Sequence, residues 1–361
     1  MIPAALTLRQ AAGTCPIYIG AGLLRALPGL LEEHLPRRRL AIIADQNVAG
    51  CVRVPVDAPV LTFPAGEPSK TRDTWSRLTD ELLAHRFGRD SAIIGLGGGV
   101  TGDLAGFVAA TYLRGVPVLQ VPTSLLAMLD ASIGGKTGVD TPAGKNLVGA
   151  FHQPVAVLVD PDLLASLPEA DLRAGLAEAV KHALIADATQ FAWLEGASRA
   201  ILARDPATLE ELLRRSIAIK VAVVEADETD CGRRAVLNAG HTIAHALEAA
   251  TGYALRHGEA VAIGLVVEAR LGERAEFTAP GTAPTLVAAL ERFGLPTRIP
   301  PDVSTDALVA AIALDKKNRA GTARFSFPAR MGAMAGDDLA GWTQAASEPA
   351  IRAAIDDSRE Q

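Results

Sequence analysis

The sequence is poor in cysteine. Cys15, Cys51 and Cys231 are an odd number at wide spacing with no CxxC pair, which excludes a disulfide framework and a thiolate zinc site and fits a reducing, cytoplasmic compartment. Long apolar runs are also lacking. The run 260–267, among the longest, has eight residues and includes Gly264, and no basic stretch followed by an apolar core opens the chain, so neither a signal peptide nor a membrane span is expected. An excess of positive charge is missing too: the formal net charge is −6, against the basic footprint that a phosphate backbone requires. A nucleic-acid partner is thereby disfavoured and a small-molecule one favoured.

Lysine is the scarcest of the charged residues. Lys70, Lys136, Lys145, Lys181, Lys220, Lys316 and Lys317 are seven of 35 basic residues, leaving 28 arginines. A composition biased toward Arg and Ala explains the arginines but not where lysine survives. An ammonium is a compact point charge on a flexible stem and a guanidinium a planar fork, so sites needing a charge at close quarters resist the exchange. The lysines are therefore candidates for chemistry.

What is present is ample material for a core: 361 residues, 49% hydrophobic and 21% charged, enough for one large or two ordinary domains. The first half alternates short apolar runs, Pro16-Ile-Tyr-Ile-Gly20, Leu40-Ala-Ile-Ile-Ala44, Ala92-Ile-Ile-Gly-Leu96 and Pro117-Val-Leu-Gln-Val121, with helix-like stretches such as 71–85. That pattern predicts an open, Rossmann-like α/β sheet. From Glu169 the chain turns periodic at helical spacing, with helices predicted over 169–186, 188–203, 206–226, 238–251 and 257–274. We expect an α/β domain over 1–165 and a mostly helical domain over 166–361, with a tail that frays after about Asp337.

Gly95-Leu-Gly-Gly-Gly-Val-Thr-Gly-Asp103 follows a strand and opens a helix, so its amides could approach a pyrophosphate closely. It is not the GxGxxG fingerprint, and such a turn can be purely structural. Asp45-Gln-Asn47 also follows a strand, where a carboxylate takes ribose hydroxyls or merely caps a helix. Pro64-Ala-Gly-Glu-Pro-Ser-Lys70 adds a turn with one acid and one lysine. The segment 122–146 gathers Asp130, Lys136, Lys145 and Asn146 among glycines and hydroxyls, an anion-binding composition. Its Gly134-Gly-Lys-Thr137 is no P-loop, since Asp130 stands where that motif needs glycine.

In the helical half, Glu178, Lys181 and His182 fall at i, i+3 and i+4 and share a face. Such a Glu–Lys pair is commonly an exposed helix stabiliser, but small apolar neighbours suggest an enclosed face. His241 and His245 lie one turn apart after a Gly240 turn, and His257-Gly-Glu259 begins the next helix. One carboxylate with two imidazoles suits a catalytic Zn²⁺ site, and the i,i+4 spacing nominates His241 and His245.

Together these motifs resemble the 3-dehydroquinate synthase family over about residues 15–330. The resemblance is carried by Gly97-Gly-Gly-Val-Thr-Gly-Asp-Leu-Ala-Gly-Phe107, residues 122–154, Gly175-Leu-Ala-Glu-Ala-Val-Lys181, Leu237-Asn-x-Gly-His-Thr-x-x-His-Ala-x-Glu248 and His257-Gly-Glu-Ala-Val261. It implies an NAD-binding α/β domain, a helical metal- and substrate-binding domain and a homodimer. Glu178, His241 and His257 would then be ligands to Zn²⁺ or Co²⁺, with His245 facing substrate, which revises the pair that spacing alone suggests. NAD would be held by Asp45, Asn47, Glu67, Lys70, Gly99, Val100, Thr101, Gly102, Asp103, Thr123, Ser124, Lys136, Lys145, Leu163 and Ser166. Substrate would meet Asp130, Lys136, Lys145, Asn146, Lys181, Lys220, Arg234, Asn238, His245 and one of Lys316 and Lys317, with Arg114 reaching in from the partner subunit. Ala244 in place of Gly, and Ala239 in place of Leu, are departures that cost no functional group.

The implied reaction converts 3-deoxy-D-arabino-heptulosonate 7-phosphate to 3-dehydroquinate and phosphate. Transient oxidation of the C5 alcohol acidifies the neighbouring C–H, phosphate leaves, hydride returns, the ring opens and an intramolecular aldol closes the carbocycle. Three other readings compete. A sister cyclase taking an amino analogue would need nearly the same residues, whereas one taking sedoheptulose 7-phosphate would lack groups for a carboxylate, and Lys220, Arg234 and Asn238 are all present. A glycerol-dehydrogenase-like enzyme would have no use for the lysine-rich anion site. A non-catalytic binding protein would have lost a ligand or a lysine, and none is missing.

Overall fold

Strand β3 (Arg39–Asp45) shows why the first half forms a sheet with two covered faces. Its Ala41 and Ile43 pack with Phe107 and Val108 on one side, while Ile42 and Ala44 pack with Leu27, Leu30 and Leu31 on the other. Alternation of side chains along a strand makes both faces apolar when helices cover each. The same logic buries every residue of β5 (Ser91–Gly97). In this computed structural model residues 3–11, 13–313 and 323–359 are described.

The chain divides into two compact units, Met1–Pro168 with Leu209–Glu225, and Glu169–Thr208 with Ala226–Gln361. A single cut between 165 and 166 does not provide for 209–225, which packs with the first unit although its pattern is that of the helical half. The first unit contains β1 (Leu6–Gln10), β2 (Gly13–Ile19), β3, β4 (Val60–Phe63), β5, β6 (Val118–Pro122), the hairpin β7 (Lys136–Thr141) and β8 (Gly144–Phe151), and β9 (Ala156–Val159). Its helices are α1 (Leu27–His34), α2 (Gln46–Cys51), α3 (Arg72–Ala84) and α4 (Gly99–Thr111).

Seven strands form one sheet in the order β1-β2-β9-β6-β5-β3-β4, parallel throughout except for the β1–β2 pair. From β3 the chain moves outward to β4, then returns past β3 to β5. The order therefore reverses between β3 and β5, and the carboxyl ends of these strands bound the crevice where open α/β sheets take ligands. Asp45 and Gly97 are the terminal residues there. The hairpin is antiparallel, with Lys136 opposite Phe151.

Helix α7 (Pro206–Ala226) contributes Leu209–Glu225 to the first unit. The second unit is built from α5 (Glu169–Ala186), α6 (Ala188–Leu202), α8 (His241–Ala250), α9 (His257–Arg274), α10 (Thr282–Arg292), α11 (Thr305–Ala313) and α12 (Glu348–Asp357). Two close approaches set its centre. A Cβ at Gly258 would overlap the Ala174 carbonyl, and one at Gly264 the Gly240 carbonyl, so α9 touches α5 and the start of α8 at backbone distance. Glu178 lies one turn beyond Ala174 on α5, which brings it level with the N-terminus of α9.

The C-terminal tail corrects an expectation. It ends in α12, which buries Ile351, Ala354 and Ile355 and is tied to α9 by Arg270 to the Asp357 carbonyl and Arg274 to the Asp357 carboxylate. A stripe at i, i+3 and i+4 is enough to dock a short helix, even where the composition is poorly patterned. No helix among the described residues is long and apolar enough to cross a membrane.

Candidate functional site

In the first unit the Gly-rich turn is held by close packing. A Cβ at Gly97 would collide with the Thr101 side chain, so only glycine lets β5 turn so tightly into α4. The N-cap is Gly98, without a side-chain cap, which leaves first-turn amides at Gly99, Val100 and Thr101 facing the crevice end of the sheet. Gly102 donates back to the Gly98 carbonyl. Asp45 does cap a helix: its Oδ1 accepts from the amides of Asn47 and Val48 at 3.0 Å each. Its Oδ2 also accepts from Thr101 Oγ1 at 3.3 Å, tying the end of β3 to the first turn of α4 beside the reversal point. Asn47 and Ser166 are exposed, Thr123 is buried, and Ser124, Leu163 and Glu67 are half-buried.

Lys70 is the hub of this unit. Its buried ammonium meets Asp103 at 2.5 Å and Asn146 Oδ1 at 2.6 Å, and the Asp140 amide donates to its carbonyl. Asn146, at φ +53°, donates its amide to Asp140, and Lys145 lies 3.3 Å from Glu67. Residues assigned separately to dinucleotide and substrate thus form one network. Burial pulls the Lys70 ammonium down, but Asp103 and Glu67 outweigh it and its pKa is raised. Burial raises Asp103 against the opposing pull of Lys70. Lys220, from α7, meets Asp130 at 2.6 Å. Lys136 is exposed at the start of β7, and Arg114 is exposed where Leu113, Arg114 and Gly115 all have positive φ.

In the second unit Glu178, His241 and His257 come together, with one ligand atom from each lying within 4.8 Å of the others. Nε2 of both imidazoles is 3.7 Å from Glu178 Oε1. Lys181 pairs with Oε2 of the same carboxylate, which is fully buried. His257 Nδ1 faces Glu248 Oε1 at 3.4 Å, and His241 Nδ1 faces the Ala239 carbonyl at 3.1 Å. Each ring is therefore anchored through Nδ1 and presents Nε2 inward, the arrangement of histidines that ligate a metal. His245 is not in the triad; its ring meets the edge of His241 at 5.6 Å. The crossing of the two helices places His257, not His245, beside Glu178, a neighbour that spacing within α8 carries no information about.

Arg234 is buried in the 3₁₀ turn 233–238 that also carries Asn238. Its amide and those of Cys231 and Gly232 converge on Asp227, and its guanidinium donates to the Glu228 carbonyl at 2.7 Å. Burial pushes the Asp227 carboxyl up, but these three amides outweigh it and hold it low. Asp227 and Glu248 were not assigned roles from the sequence. Asp227 carries a signal, an acid followed by a Gly-containing turn, whereas Glu248 stands out only once α9 is in place. Lys316 and Lys317 lie outside the described residues.

Comparison with known proteins places this geometry in a family. The family described as 3-dehydroquinate synthase N-terminal matches residues 60–174, and 3-dehydroquinate synthase C-terminal matches 175–318. The 3-dehydroquinate synthase of Symbiobacterium thermophilum is 45% identical over 328 residues, covering 88% of this chain and 92% of that one. That of Halorhodospira halophila is 47% identical over 315 residues, 86% and 88% of the two chains. Among solved structures, 2-deoxy-scyllo-inosose synthase complexed with carbaglucose-6-phosphate, NAD⁺ and Co²⁺ superposes with a TM-score of 0.88 at 25% identity, over 98% of this chain and 99% of that one. The 2-epi-5-epi-valiolone synthase of Streptomyces hygroscopicus, with NAD⁺ and Zn²⁺ bound, gives 0.82 at 27% identity, over 94% and 95%. A probable glycerol dehydrogenase from Sinorhizobium meliloti, at 0.62 and 21% identity over 94% of this chain and 95% of that one, shares the fold.

The protonation of the triad sets how a cation would enter it. Burial, reinforced by the charge of Lys181, holds the His241 imidazole well below its ordinary value. Burial pulls His257 down as well, but Glu178 and Glu248 outweigh it and raise it to about 9. Without metal at neutral pH, His241 is neutral and His257 protonated. A divalent cation must then expel one proton, from His257. Between about pH 7 and 8.5 the apparent Zn²⁺ dissociation constant should fall about tenfold per pH unit, with about one proton released per ion in calorimetry across buffers of different ionisation enthalpy. Affinity independent of pH, with no proton released, would contradict this assignment.

Proposed function

The chain belongs to the 3-dehydroquinate synthase family, and from that premise we propose how its own residues carry the conversion of 3-deoxy-D-arabino-heptulosonate 7-phosphate to 3-dehydroquinate and phosphate. The observation that carries the reading is the triad of the buried Glu178 with the half-buried His241 and His257, each imidazole anchored at Nδ1. That donor set fits Zn²⁺ or Co²⁺ with a coordination position left open. The turn at Gly97–Gly99, with Asp45 across the strand reversal, fits the pyrophosphate and ribose of NAD⁺. When bound, NAD⁺ and the metal supply reversible hydride transfer at the C5 alcohol and polarisation of that oxygen.

The protein's own contribution is charge in fixed places. A substrate with a phosphate at one end and a carboxylate at the other needs concentrated cations from a chain of net charge −6. Lys136, Lys145, Lys181, Lys220 and Arg234 are those cations, with Arg114 contributed across a homodimer and one of Lys316 and Lys317 completing the set. Ion pairs to Asp130, Glu67 and Glu178 hold Lys220, Lys145 and Lys181 in place before substrate arrives, so less side-chain freedom is lost on binding. Asn146 and Asn238 supply neutral donors, and His245, beside the metal triad, exchanges a proton with substrate. Lys70 with Asp103, together with Glu67, Thr123, Ser124, Leu163 and Ser166, lines the dinucleotide. We place the enzyme in the cytoplasm.

A sister cyclase of secondary metabolism is the second reading, favoured by the likeness to 2-deoxy-scyllo-inosose synthase. Against a sister cyclase whose substrate lacks a carboxylate stands the buried Arg234 on the same turn as Asn238, groups suited to a substrate carboxylate; one taking an amino analogue would use nearly the same residues. Two measurements decide. Purified protein with NAD⁺ and Zn²⁺ should release phosphate from the heptulosonate phosphate, one for each 3-dehydroquinate formed, with no net NADH. Steady accumulation of NADH would instead indicate a dehydrogenase. Lys220→Arg keeps the charge but not the compact ammonium facing Asp130, and should lower kcat/KM at least about tenfold; unchanged kcat/KM would remove Lys220 from the set.

A further inference from the structure

Glu268 is an acid in the middle of the apolar stretch of α9, and it is 1% exposed. Its carboxylate spans the start of α8. Oε2 accepts the Gly240 amide at 2.7 Å, and Oε1 accepts the amides of Thr242 and Ile243 at 3.0 and 3.2 Å. The first turn of a helix leaves such donors unsatisfied. The N-cap here is Gly240, at φ +79° and without a side chain to offer, so a carboxylate from the neighbouring helix takes the cap's place and offsets the positive end of the dipole.

The Gly240 amide has a second consequence. It belongs to the Ala239–Gly240 peptide, whose carbonyl faces His241 Nδ1 at 3.1 Å. In a trans peptide the N–H and C=O point in opposite directions, so drawing the N–H onto Glu268 aims the carbonyl at the imidazole. A carbonyl only accepts, so Nδ1 carries the proton and Nε2 keeps its lone pair toward Glu178. His257 is held by Glu248 directly, at 3.4 Å. Both imidazoles are thus backed by buried carboxylates, one in contact and one through a peptide.

We infer that Glu268 is a positioning residue for His241, acting through the Ala239–Gly240 peptide to fix the ring tautomer and direction that the divalent-cation site requires. This rests on the reading of Glu178, His241 and His257 as the metal ligands. Hydrogen bonds in such a chain polarise one another, and partners bonded directly to a ligating histidine are worth about 10- to 100-fold in metal affinity, the scale against which a carboxylate acting through one peptide is read.

The test uses full-length Glu268→Gln with His241→Ala as a control. The Gln amide places a donor against an amide that now meets an oxygen. In metal-free protein labelled with ¹⁵N-histidine, wild type should show His241 as a single Nδ1–H tautomer and E268Q a mixture, with His257 unchanged. The Zn²⁺ dissociation constant, by chelator competition, should rise at least about tenfold, and the visible spectrum of the Co²⁺ form should shift. A residue that merely caps the helix would lower Tm and leave tautomer, affinity and spectrum at wild type; that result overturns the inference. If E268Q does not fold, Glu268→Asp, which keeps the charge but shortens the reach, is read in the same way. H241A separates the two layers. If it binds metal as wild type does, the ligand assignment fails; if it loses metal while E268Q does not, only the role of Glu268 fails.

Discussion

A carboxylate buried as completely as that of Glu178 must be met by positive charge or by a cation, because an isolated ionised group in the interior is prohibitively costly. Lys181 takes one oxygen and the Nε2 atoms of His241 and His257 face the other. The arrangement of the helical unit follows from that requirement. Gly258 lets α9 touch α5 at Ala174, so that His257 arrives beside Glu178, and Gly264 lets α9 touch Gly240, so that His241 does. Glu248 and Glu268 then fix the two rings from behind. Removing either close approach would separate Glu178, His241 and His257, which lie on three different helices.

The same economy governs the α/β unit. Lys70 with Asp103, Lys145 with Glu67 and Lys220 with Asp130 are cations held by acids. Buried or half-buried, such pairs add little to stability, since desolvation or solvent screening offsets most of the attraction. What they add is position. An enzyme with an anionic substrate and an acidic chain gains from lysines already in place, and the protein keeps so few of them that most fall in the proposed site.

Much of this was legible from local pattern. The four apolar runs of the first half became β2, β3, β5 and β6, and the helices predicted over 169–186 and 257–274 became α5 and α9. Spacing along one helix does not report a neighbour that comes from elsewhere in the chain. His257 joins Glu178 and His241 through the crossing of α9, which no i,i+4 count on α8 can reveal. The hairpin β7–β8 lay hidden in a glycine-rich segment that composition marked only as anion-binding, and the segment 209–225 reads as one more helix of the second half while packing with the first unit. Of the two readings of Asp45, the helix cap is what the structure shows, with Oδ1 taking the amides of Asn47 and Val48 and Oδ2 meeting Thr101.

The central claim is that Glu178, His241 and His257 form the metal centre, with His245 left for substrate. Diffraction from crystals grown with Zn²⁺, recorded on both sides of the zinc absorption edge, tests it most directly. The account predicts one anomalous peak at about 2.0–2.2 Å from a Glu178 oxygen and from Nε2 of His241 and His257, with His245 beyond bonding distance. A peak ligated by His245 in place of His257, or none beside Glu178, would contradict it.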